Sequence, residues 1–542
     1  MIRKVVLRRF KGFREVVFDL PGHVVLAGPN NSGKTTLLQA IAAWDLTLRR
    51  WREIYETKKQ NGHYVKAPIA RQAFLAVPLR SFDLLWNERV YKEPIEIEVT
   101  SDAGWSLCME LVPDTTEQIF VRPKTARPAN AVTQAAVTTA FVPAMSGVAI
   151  EEPFYGSPAT VEAMLGRVRA GDVLRNLLFH ASQQEDAWRA IQSSVRELFG
   201  YELLVPNASI AFIQADYRTR KDGPVYDLMS AGSGFQQVLM LLCFLHTRPG
   251  SVLLLDEPDA HLHVVLQDAI YGELKRVAAE KNSQLVIATH SEVILNAADI
   301  AEVRTAFDPS KALVDAKQKQ SLGKALRWLT NVDIAQARTA PGILYLEGPT
   351  DLEILRAWAR VLGHRCLPLL TTELFWRKAT VESPSGQEGI SAREHYHALT
   401  LVRELPGLVL VDGDAKETIK STPITGKGLQ RLRWKRYEIE SYLVNAATLA
   451  RFVESQIGSE SAKAPLLALE EFLSQLPRGK LLEDYLQVTK AREKILPPAL
   501  DAADLPGFPY TRYHEIAAVM KPDEIHPEVI EKLDALCKAF GR

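Results

Sequence analysis

Cysteine is scarce in this sequence, and its few positions lie far apart. The 542 residues contain only Cys108, Cys243, Cys366 and Cys537, and no two of them form a Cys-x-x-Cys pair. This spacing argues against a disulfide framework and against a zinc site, and such cysteine usage is typical of proteins in a reducing cytosol.

Long apolar runs and an excess of charge of one sign are lacking as well. No apolar run approaches the ~20 residues that cross a bilayer, and the segment MIRKVVLRRFKGF lacks the apolar core of a secretory signal. Lysine plus arginine and aspartate plus glutamate both total 65, so net charge indicates no class of partner. We therefore expect a soluble, cytoplasmic protein that does not bind membranes, with two or three domains.

A phosphate-binding loop is predicted close to the N-terminus. Residues 2–27 alternate as three short strands, and the segment TTLLQAIAAW after the loop has helical spacing. GPNNSGKT between them fits G-x-x-x-x-G-K-[ST], in which backbone N–H groups converge on phosphates, a lysine neutralises their charge and a hydroxyl reaches Mg²⁺. A chance glycine-rich turn is the alternative, and the flanking strand and helix argue against it. The predicted ATP-binding residues are Gly28, Pro29, Asn30, Asn31, Ser32, Gly33, Lys34, Thr35 and Thr36.

Two later apolar runs predict buried parallel strands that deliver polar side chains at their ends. VLLLDEP carries Asp256 and Glu257 at its tip, and QLVIATHS carries His290. Asp256 is predicted to hold Mg²⁺ together with Thr35, and Glu257 to orient and deprotonate the attacking water. An isolated histidine at a strand end is more often structural, so the role of His290 depends on the company of these motifs.

This order and spacing of motifs match ABC ATPases. Residues 1–45 and 225–295 resemble the head domain shared by SMC proteins, RecF and the OLD (overcoming lysogenization defect) nucleases. The resemblance implies that His290 contacts the γ-phosphate and that ATP is bound between the heads of a homodimer, which could assemble further. SAGSGFQQ takes the place of the ABC signature, so Ser230, Gly232 and Ser233 would contact the nucleotide of the opposite protomer.

The same comparison suggests roles for residues near these motifs. Asp259 would be the D-loop residue at the dimer interface, and Gln72 is a candidate for the glutamine loop. His261 and His263 resemble a metal pair, but their spacing diverges on a helix. We interpret both histidines as packing and interface residues.

A second group of acidic residues predicts a metal site. Glu347 closes the strand ILYLEG and Asp351 opens the next helix, whereas Asp412 and Asp414 follow the strand LVLVDGD. Carboxylates at this density suit Mg²⁺ or Mn²⁺, which prefer oxygen ligands. Acidic turn residues on an ordinary α/β domain are the alternative.

The order E-G-x-x-D followed by D-x-D resembles a TOPRIM domain, as in topoisomerases, primases and OLD nucleases. In RWKRYEIESYL, Glu438 and Glu440 would face one side of a strand, where they either complete a two-metal site or form a solvated acidic face. This segment resembles the TOPRIM effectors of anti-phage systems of the OLD and PARIS types. OLD nucleases also use a lysine near the metals, for which Lys435, Lys490 and Lys521 are candidates.

A basic run precedes these glutamates and suggests contact with nucleic acid. Cations suit phosphates and aromatic rings suit bases, although a charge run is more often a solvated face. The run consists of Lys416, Lys420, Lys427, Arg431, Arg433, Lys435 and Arg436, with Trp434 and Tyr437 among them.

Together these motifs predict an α/β fold class: an ABC/SMC-like P-loop ATPase with a helical insertion, a TOPRIM domain and a helical C-terminus. The expected bounds are 1–320 for the ATPase (insertion at about 150–205), 321–340 for a linker, 341–460 for TOPRIM and 461–542 for the helical region. The predicted function is an ATP-controlled, Mg²⁺- or Mn²⁺-dependent nuclease that cleaves DNA in anti-phage defence. The alternatives are a tRNA-directed ribonuclease and an ATPase scaffold that senses a phage trigger and releases a toxin.

Overall fold

The chain folds into two compact units, Met1–Leu326 and Arg327–Arg542. The computed structural model describes residues 1–542 except 29–31, 56, 144–146, 158–159, 162–163, 166–169, 209–211, 306–318, 320–321, 324–328, 383–388, 414–420 and 542. Among the described residues, no helix combines the length and the apolar character needed to cross a membrane.

Two large sheets form the centre of the first unit. Its strands are β1 (Ile2–Phe10), β2 (Phe13–Asp19), β3 (Val24–Ala27), β4 (Lys59–Gln60), β5 (His63–Tyr64), β6 (Ala67–Ala70), β7 (Ile95–Ser101), β8 (Ser106–Pro113), β9 (Gln118–Arg127), β10 (Thr139–Val142), β11 (Glu202–Leu203), β12 (Asp216–Arg218), β13 (Tyr226–Asp227), β14 (Val252–Asp256), β15 (Gln284–Thr289) and β16 (Val303–Thr305). One sheet has the order β2-β1-β7-β8-β9-β6 and the other β10-β14-β15-β3-β16. The first is antiparallel and the second entirely parallel.

The helices of the first unit are α1 (Lys34–Ile54), α2 (Ala131–Gln134), α3 (Leu174–Ser182), α4 (Glu185–Phe199), α5 (Ser233–Thr247), α6 (Val264–Glu280) and α7 (Glu292–Ala297). Helix α1 contacts strands of both large sheets, which explains why most of its residues are buried. Trp44 and Trp51 are fully buried on it, and their indole N–H groups donate to the carbonyls of Leu107 and Val65 at 2.9 and 2.7 Å. Satisfying these donors allows two large rings to fill the space under the sheets.

A parallel sheet also organises the second unit. Its strands are β17 (Ile343–Leu346), β18 (Phe375–Lys378), β19 (Thr380–Glu382), β20 (Gly389–Ser391), β21 (Gly407–Val411) and β22 (Leu429–Arg433). The four-stranded sheet has the order β18-β17-β21-β22, and every pair in it is parallel. The connections change direction between β17 and β21, where open parallel sheets form a crevice at their carboxyl ends.

The helices of the second unit are α8 (Asn331–Thr339), α9 (Pro349–Val361), α10 (Ala392–Val402), α11 (Ala446–Ile457), α12 (Lys463–Ser474), α13 (Lys480–Leu486), α14 (Ala491–Lys494), α15 (Leu496–Ala502), α16 (His514–Ala518) and α17 (Pro527–Ala539). One hydrophobic cluster runs from Leu344 in the sheet to Phe540 after the last helix. The structure therefore has no boundary at residue 460, because the C-terminal helices share the core of the sheet. Helix α8, expected within a linker, belongs to this unit.

Candidate functional site

The residues of the predicted nucleotide site follow three neighbouring strands of the parallel sheet. Strand β15 pairs in parallel with both β3 and β14. Gly28 follows β3, Asp256 ends β14 and His290 follows β15. Because all three strands run the same way, these residues meet at one edge of the sheet, beside the first turn of α1.

Two residues of the first turn of α1 face this edge. Lys34 is buried, and its Nζ donates to the carbonyl oxygen of Gly28 at 2.6 Å. Thr35 Oγ1 lies 3.0 Å from both carboxylate oxygens of Asp256. A hydroxyl and a carboxylate held together in this way are the ligands with which P-loop proteins hold Mg²⁺.

Lys34, Glu257 and His290 form a connected polar group. His290 Nε2 lies 2.9 Å from Lys34 Nζ and 3.1 Å from the Glu257 carboxylate. One ring nitrogen cannot accept from the ammonium and donate to the carboxylate at once, so it serves one partner at a time. Glu257 has a φ of 48°, a left-handed conformation that is uncommon for residues other than glycine and is often found at functional sites.

Burial and charge set the protonation of this site. Burial lowers the pKa of Lys34 to about 8, against the opposing effect of nearby acids. Burial raises the pKa of Asp256, whereas the hydrogen bond from His290 lowers the pKa of Glu257. An anionic phosphate beside Lys34 would favour its charged form, and a lowered pKa keeps Glu257 ionised.

The phosphate loop itself offers a further sign that it fits a ligand. Ser32 Oγ is buried and has no hydrogen-bond partner in the described part of the chain, and Gly33 has a φ of 101°. A Cβ at Gly33 would lie 2.3 Å from the ring of Phe13, so only glycine fits there. Thr36 is half-buried in the first turn of α1, and Pro29, Asn30 and Asn31 lie outside the described residues.

The signature-like segment lies at the start of α5. Ser230 and Gly232 are exposed, and Ser233 is the first residue of the helix. A Cβ at Gly234 would lie 3.0 Å from the carbonyl oxygen of His261, so this helix start is next to the turn that follows Glu257. In that turn, Asp259 accepts a hydrogen bond from Thr289 Oγ1 at 2.5 Å.

The remaining expectations for this unit fall on exposed residues. His261 and His263 lie ahead of α6 rather than on it, and both are exposed, so they are not packing residues. His263 Nδ1 accepts from Val265 N at 3.4 Å and caps the helix. Gln72 is exposed on the short turn Arg71–Ala73 after β6, and none of its described contacts reaches the nucleotide site.

The acidic residues of the second unit also gather at the carboxyl edge of a parallel sheet. Glu347 follows β17 and Asp412 follows β21, and these two strands are neighbours. Asp412 N donates to Glu347 Oε1 at 3.0 Å. Asp351 Oδ2 accepts from the backbone N–H groups of Glu347 and Gly348 at 3.1 and 3.2 Å, so it caps α9.

Glu438 and Glu440 join this group, but not on a strand as expected. Strand β22 ends at Arg433, and Ile439–Leu443 forms a 3-10 turn with Glu438 as its cap. Both glutamates are buried, so a solvated acidic face is not what the structure contains. Ile439 N between them donates to Asp412 Oδ1 at 3.1 Å, and Asp414 lies outside the described residues.

Burial, together with the neighbouring acids, raises the pKa values of several members of this group. Burial, followed by Glu347 and the other acids, raises the pKa of Asp412 to about 10. Burial and Glu438 raise the pKa of Glu440 to about 7. A divalent cation would offset this repulsion, and five carboxylates are a donor set that suits Mg²⁺ or Mn²⁺. Within the described residues, these carboxylates do not form a group whose ligand atoms all lie within 4.8 Å of each other.

Arg492 is a cation beside these acids that the sequence motifs did not indicate. Its backbone N–H donates to Glu438 Oε1 at 2.5 Å, and its guanidinium lies 3.8 Å from Glu440. It lies on α14, in a region without a recognised motif, and only the cluster KAREK could have drawn attention to it. Of the three candidate lysines, Lys490 has a charge that opposes the rise in the pKa of Glu438 caused by burial. Lys435 and Lys521 are exposed.

The basic run is divided between the surface and the core. Trp434 is buried in the hydrophobic core, and Arg436 is buried and paired with Glu483. Neither side chain is available for nucleic acid, contrary to expectation. Lys427 and Lys435 are exposed, and Arg431, Arg433 and Tyr437 half-buried, whereas Lys416 and Lys420 lie outside the described residues.

Comparison with known proteins supports the prediction of an ATPase domain in the first unit. Residues 159–296 match the family described as "AAA domain, putative AbiEii toxin, Type IV TA system". The matched segment includes the signature-like residues, Asp256, Glu257 and His290. No curated protein matches the chain.

SMC head domains are among the solved structures similar to this chain. The head domain from Thermotoga maritima is 15% identical, with 58% of this chain and 99% of that chain covered and a TM-score of 0.31. The Pyrococcus furiosus head domain with an extended coiled coil, bound to the C-terminal domain of ScpA, is 13% identical, with 60% and 98% covered and a TM-score of 0.34.

The family match and the geometry of the site agree on its chemistry. The first unit contains a P-loop ATPase domain, which binds ATP, typically with Mg²⁺.

The protein without divalent ions is predicted to lose stability as pH rises. The pKa of Glu440 in the folded chain, about 7, lies above its ordinary value of 4.5. The stability that this proton contributes to the folded chain, on the order of a few kcal/mol, is therefore fully present below about pH 4.5. It is lost as pH rises through about 7. Thermal unfolding in EDTA from about pH 5 to 9 measures this. Glu440→Gln should flatten the decline, and an unchanged profile would contradict the assignment.

Proposed function

We propose that the chain is an ATP-controlled, metal-dependent nuclease whose second unit cleaves DNA, by resemblance to OLD nucleases in defence against phage. The observation that carries this proposal is the crowded group of five acids in which Asp351, Glu438 and Glu440 are buried, Asp412 is half-buried and Glu347 is exposed. Buried like charges without an equal number of cations cost stability, so such a group is usual only where a cation binds. Its presence in one chain with an ABC-type ATPase supports control of the reaction by nucleotide.

The donor set supports a role for Mg²⁺ or Mn²⁺ in phosphodiester cleavage. Such ions, when bound, activate a water molecule and stabilise the leaving oxygen. Glu347 and Asp412 are joined by a hydrogen bond and would hold an ion from neighbouring strands. Asp351 is tied to two backbone N–H groups, which fixes its orientation.

Cations around the acidic group support a nucleic-acid substrate. Arg492 lies next to Glu440, and Arg433 and the exposed Lys435 lie on the segment that leads to Glu438. Phosphate contacts of this kind supply affinity without reading sequence. The same contacts would serve RNA, so the assay below includes both nucleic acids.

Head dimerisation is supported by the surface around the signature-like segment. Met229, Val264 and Val265 are exposed by 47, 60 and 75%, respectively, and they flank the start of α5 and the turn at Asp259. Exposed apolar side chains near one functional segment are typical of an interaction surface. In the proposed dimer, Ser230 and Ser233 of one protomer complete the nucleotide site of the other.

Glu257→Gln is predicted to retain ATP binding and to lose nearly all ATP hydrolysis, because the amide cannot accept the proton of the attacking water. Lys34→Ala is expected to lose binding itself. Nucleotide binding by fluorescence and phosphate release measure the two effects. Asp268→Asn, which changes an exposed acid on α6, is the matched control. Wild-type turnover by Glu257→Gln would refute the assignment.

Mixing two inactive variants tests the composite site. Lys34→Ala removes one half of the site and Ser230→Arg the other, so a mixed dimer keeps one intact site. Random pairing in an equal mixture should restore ATPase activity to about a quarter of wild type. Cross-linking or light scattering confirms that mixed dimers form. If they form and activity stays absent, the nucleotide does not bind between protomers.

Asp412→Ala is predicted to abolish cleavage while ATP hydrolysis persists. Loss of a metal ligand should slow cleavage on the order of 10³-fold, whereas removal of one like charge from the crowded group should spare the fold. Plasmid DNA and total tRNA, each with Mg²⁺, Mn²⁺ or EDTA, are the substrates. Glu470→Ala, at an exposed site of the same unit, is the control.

The same assay separates the rival functions. Cleavage of tRNA alone would make the protein a ribonuclease. Cleavage by Asp412→Ala at the wild-type rate would place the active site elsewhere. No cleavage of either substrate by the wild-type protein would favour a scaffold that releases a toxin partner.

A further inference from the structure

A second, chemically different group of ligands lies in the Arg327–Arg542 unit. His364 and Cys366 are in the loop after α9, and Cys537 is on α17. One ligand atom from each lies within 4.8 Å of the other two. Both cysteines are fully buried and free, and the His364 side chain is only 13% exposed. The fold thus brings together cysteines whose sequence spacing argued against a zinc site.

The orientation of His364 suits a metal ligand. Its Nδ1 accepts from the backbone N–H of Cys366 at 3.2 Å, a hydrogen bond that a metal ion would replace, and its Nε2 lies 3.5 Å from Asp534. A ligand histidine usually holds its other nitrogen against a carboxylate, which sets the tautomer and the ring orientation. Asp534 is in that position, and it also accepts a hydrogen bond from Arg365 at 3.1 Å.

Two thiols and one imidazole select the ion by their chemistry. Thiolates are soft ligands that favour Zn²⁺ over Mg²⁺ or Mn²⁺. Ligand atoms around one tetrahedral zinc lie roughly 3.3–3.8 Å apart, so ligand atoms within 4.8 Å of each other would need to approach by at most about 1.5 Å. The donor set differs from the all-oxygen group around Asp412, and the two sites should take different metals.

We propose that His364, Cys366 and Cys537 bind one Zn²⁺ ion, with Asp534 as a positioning residue. Binding displaces the two thiol protons to solvent, and a water molecule takes the fourth position. The ion would join the loop after α9 to α17. Asp351 lies in the first turn of α9. The bound ion would therefore hold the other end of the helix that carries this carboxylate.

Metal analysis of the full-length chain tests the proposal. The protein is purified under reducing conditions, and zinc is measured by elemental mass spectrometry. We expect about one zinc per chain in the wild type and its loss in Cys366→Ser and Cys537→Ser. Cys243→Ser, which changes a buried free cysteine of the first unit, should keep the ion. Asp412→Ala should keep it too, which makes the result independent of the proposed nuclease.

A second set of measurements uses the wild type and the conservative variant Asp534→Asn, because the cysteine variants could fail to fold. Chelation of zinc should lower the unfolding temperature of the wild type, and added Zn²⁺ should restore it. Co²⁺ in place of zinc should show a thiolate charge-transfer absorption. Asp534→Asn should retain the stoichiometry and weaken affinity by about 10–100-fold, as expected of a residue that acts through a ligand.

Three outcomes would overturn the proposal. The first is a reduced wild-type protein that neither contains nor binds zinc or cobalt above background. The second is equal zinc content in wild type, Cys366→Ser and Cys537→Ser. The third is a Cys366–Cys537 disulfide, found by peptide mapping, in freshly purified chain that takes up zinc neither before nor after reduction.

Discussion

Parallel pairing of strands decides where the reactive residues of this molecule meet. Asp256 and His290 leave neighbouring strands at one edge of the first parallel sheet, and Glu347 and Asp412 leave neighbouring strands in the second. These pairs are distant in sequence, yet the register of the strands leaves them little freedom. Because backbone hydrogen bonds hold the register, the strand ends bring these residues together without the help of a ligand.

The two sites differ in how their charge is balanced. In the first, the buried ammonium of Lys34 lies among Asp256, Glu257 and His290, so the acids already have a cation. In the second, the acids crowd each other, and Arg492 reaches them only at 3.8 Å from Glu440. Protonation relieves that repulsion in the absence of a metal. The second site therefore has more free energy to gain from binding a divalent ion.

How much of this could be predicted from sequence depends on the distance over which each signal acts. The phosphate loop and the two acidic strand ends were predictable, because a glycine turn and an apolar run next to a carboxylate are local patterns. The family match confirms an ATPase domain in the first unit. The TOPRIM resemblance and the composite dimer site stay predictions.

Other residues could not be placed by local pattern. The alternation around Glu438 and Glu440 fits a strand and a 3-10 turn equally well, and only tertiary contacts decided between them. Trp434 was expected to stack on bases, but a large ring gains more by burial in the core. The approach of Cys366 to Cys537 depends on the packing of α17, which no spacing rule describes.

The C-terminal helices determine the geometry of the acidic site, although no motif distinguishes them. Glu528 on α17 accepts hydrogen bonds from Lys435 N at 3.0 Å and from the hydroxyl of Tyr442. Arg492 N on α14 binds Glu438 from the other side. The segment that carries both glutamates is thus held at its two ends by residues that come after it in the chain. The positions of Glu438 and Glu440 therefore depend on the packing of the C-terminal helices, whereas those of Glu347 and Asp412 follow from the strands.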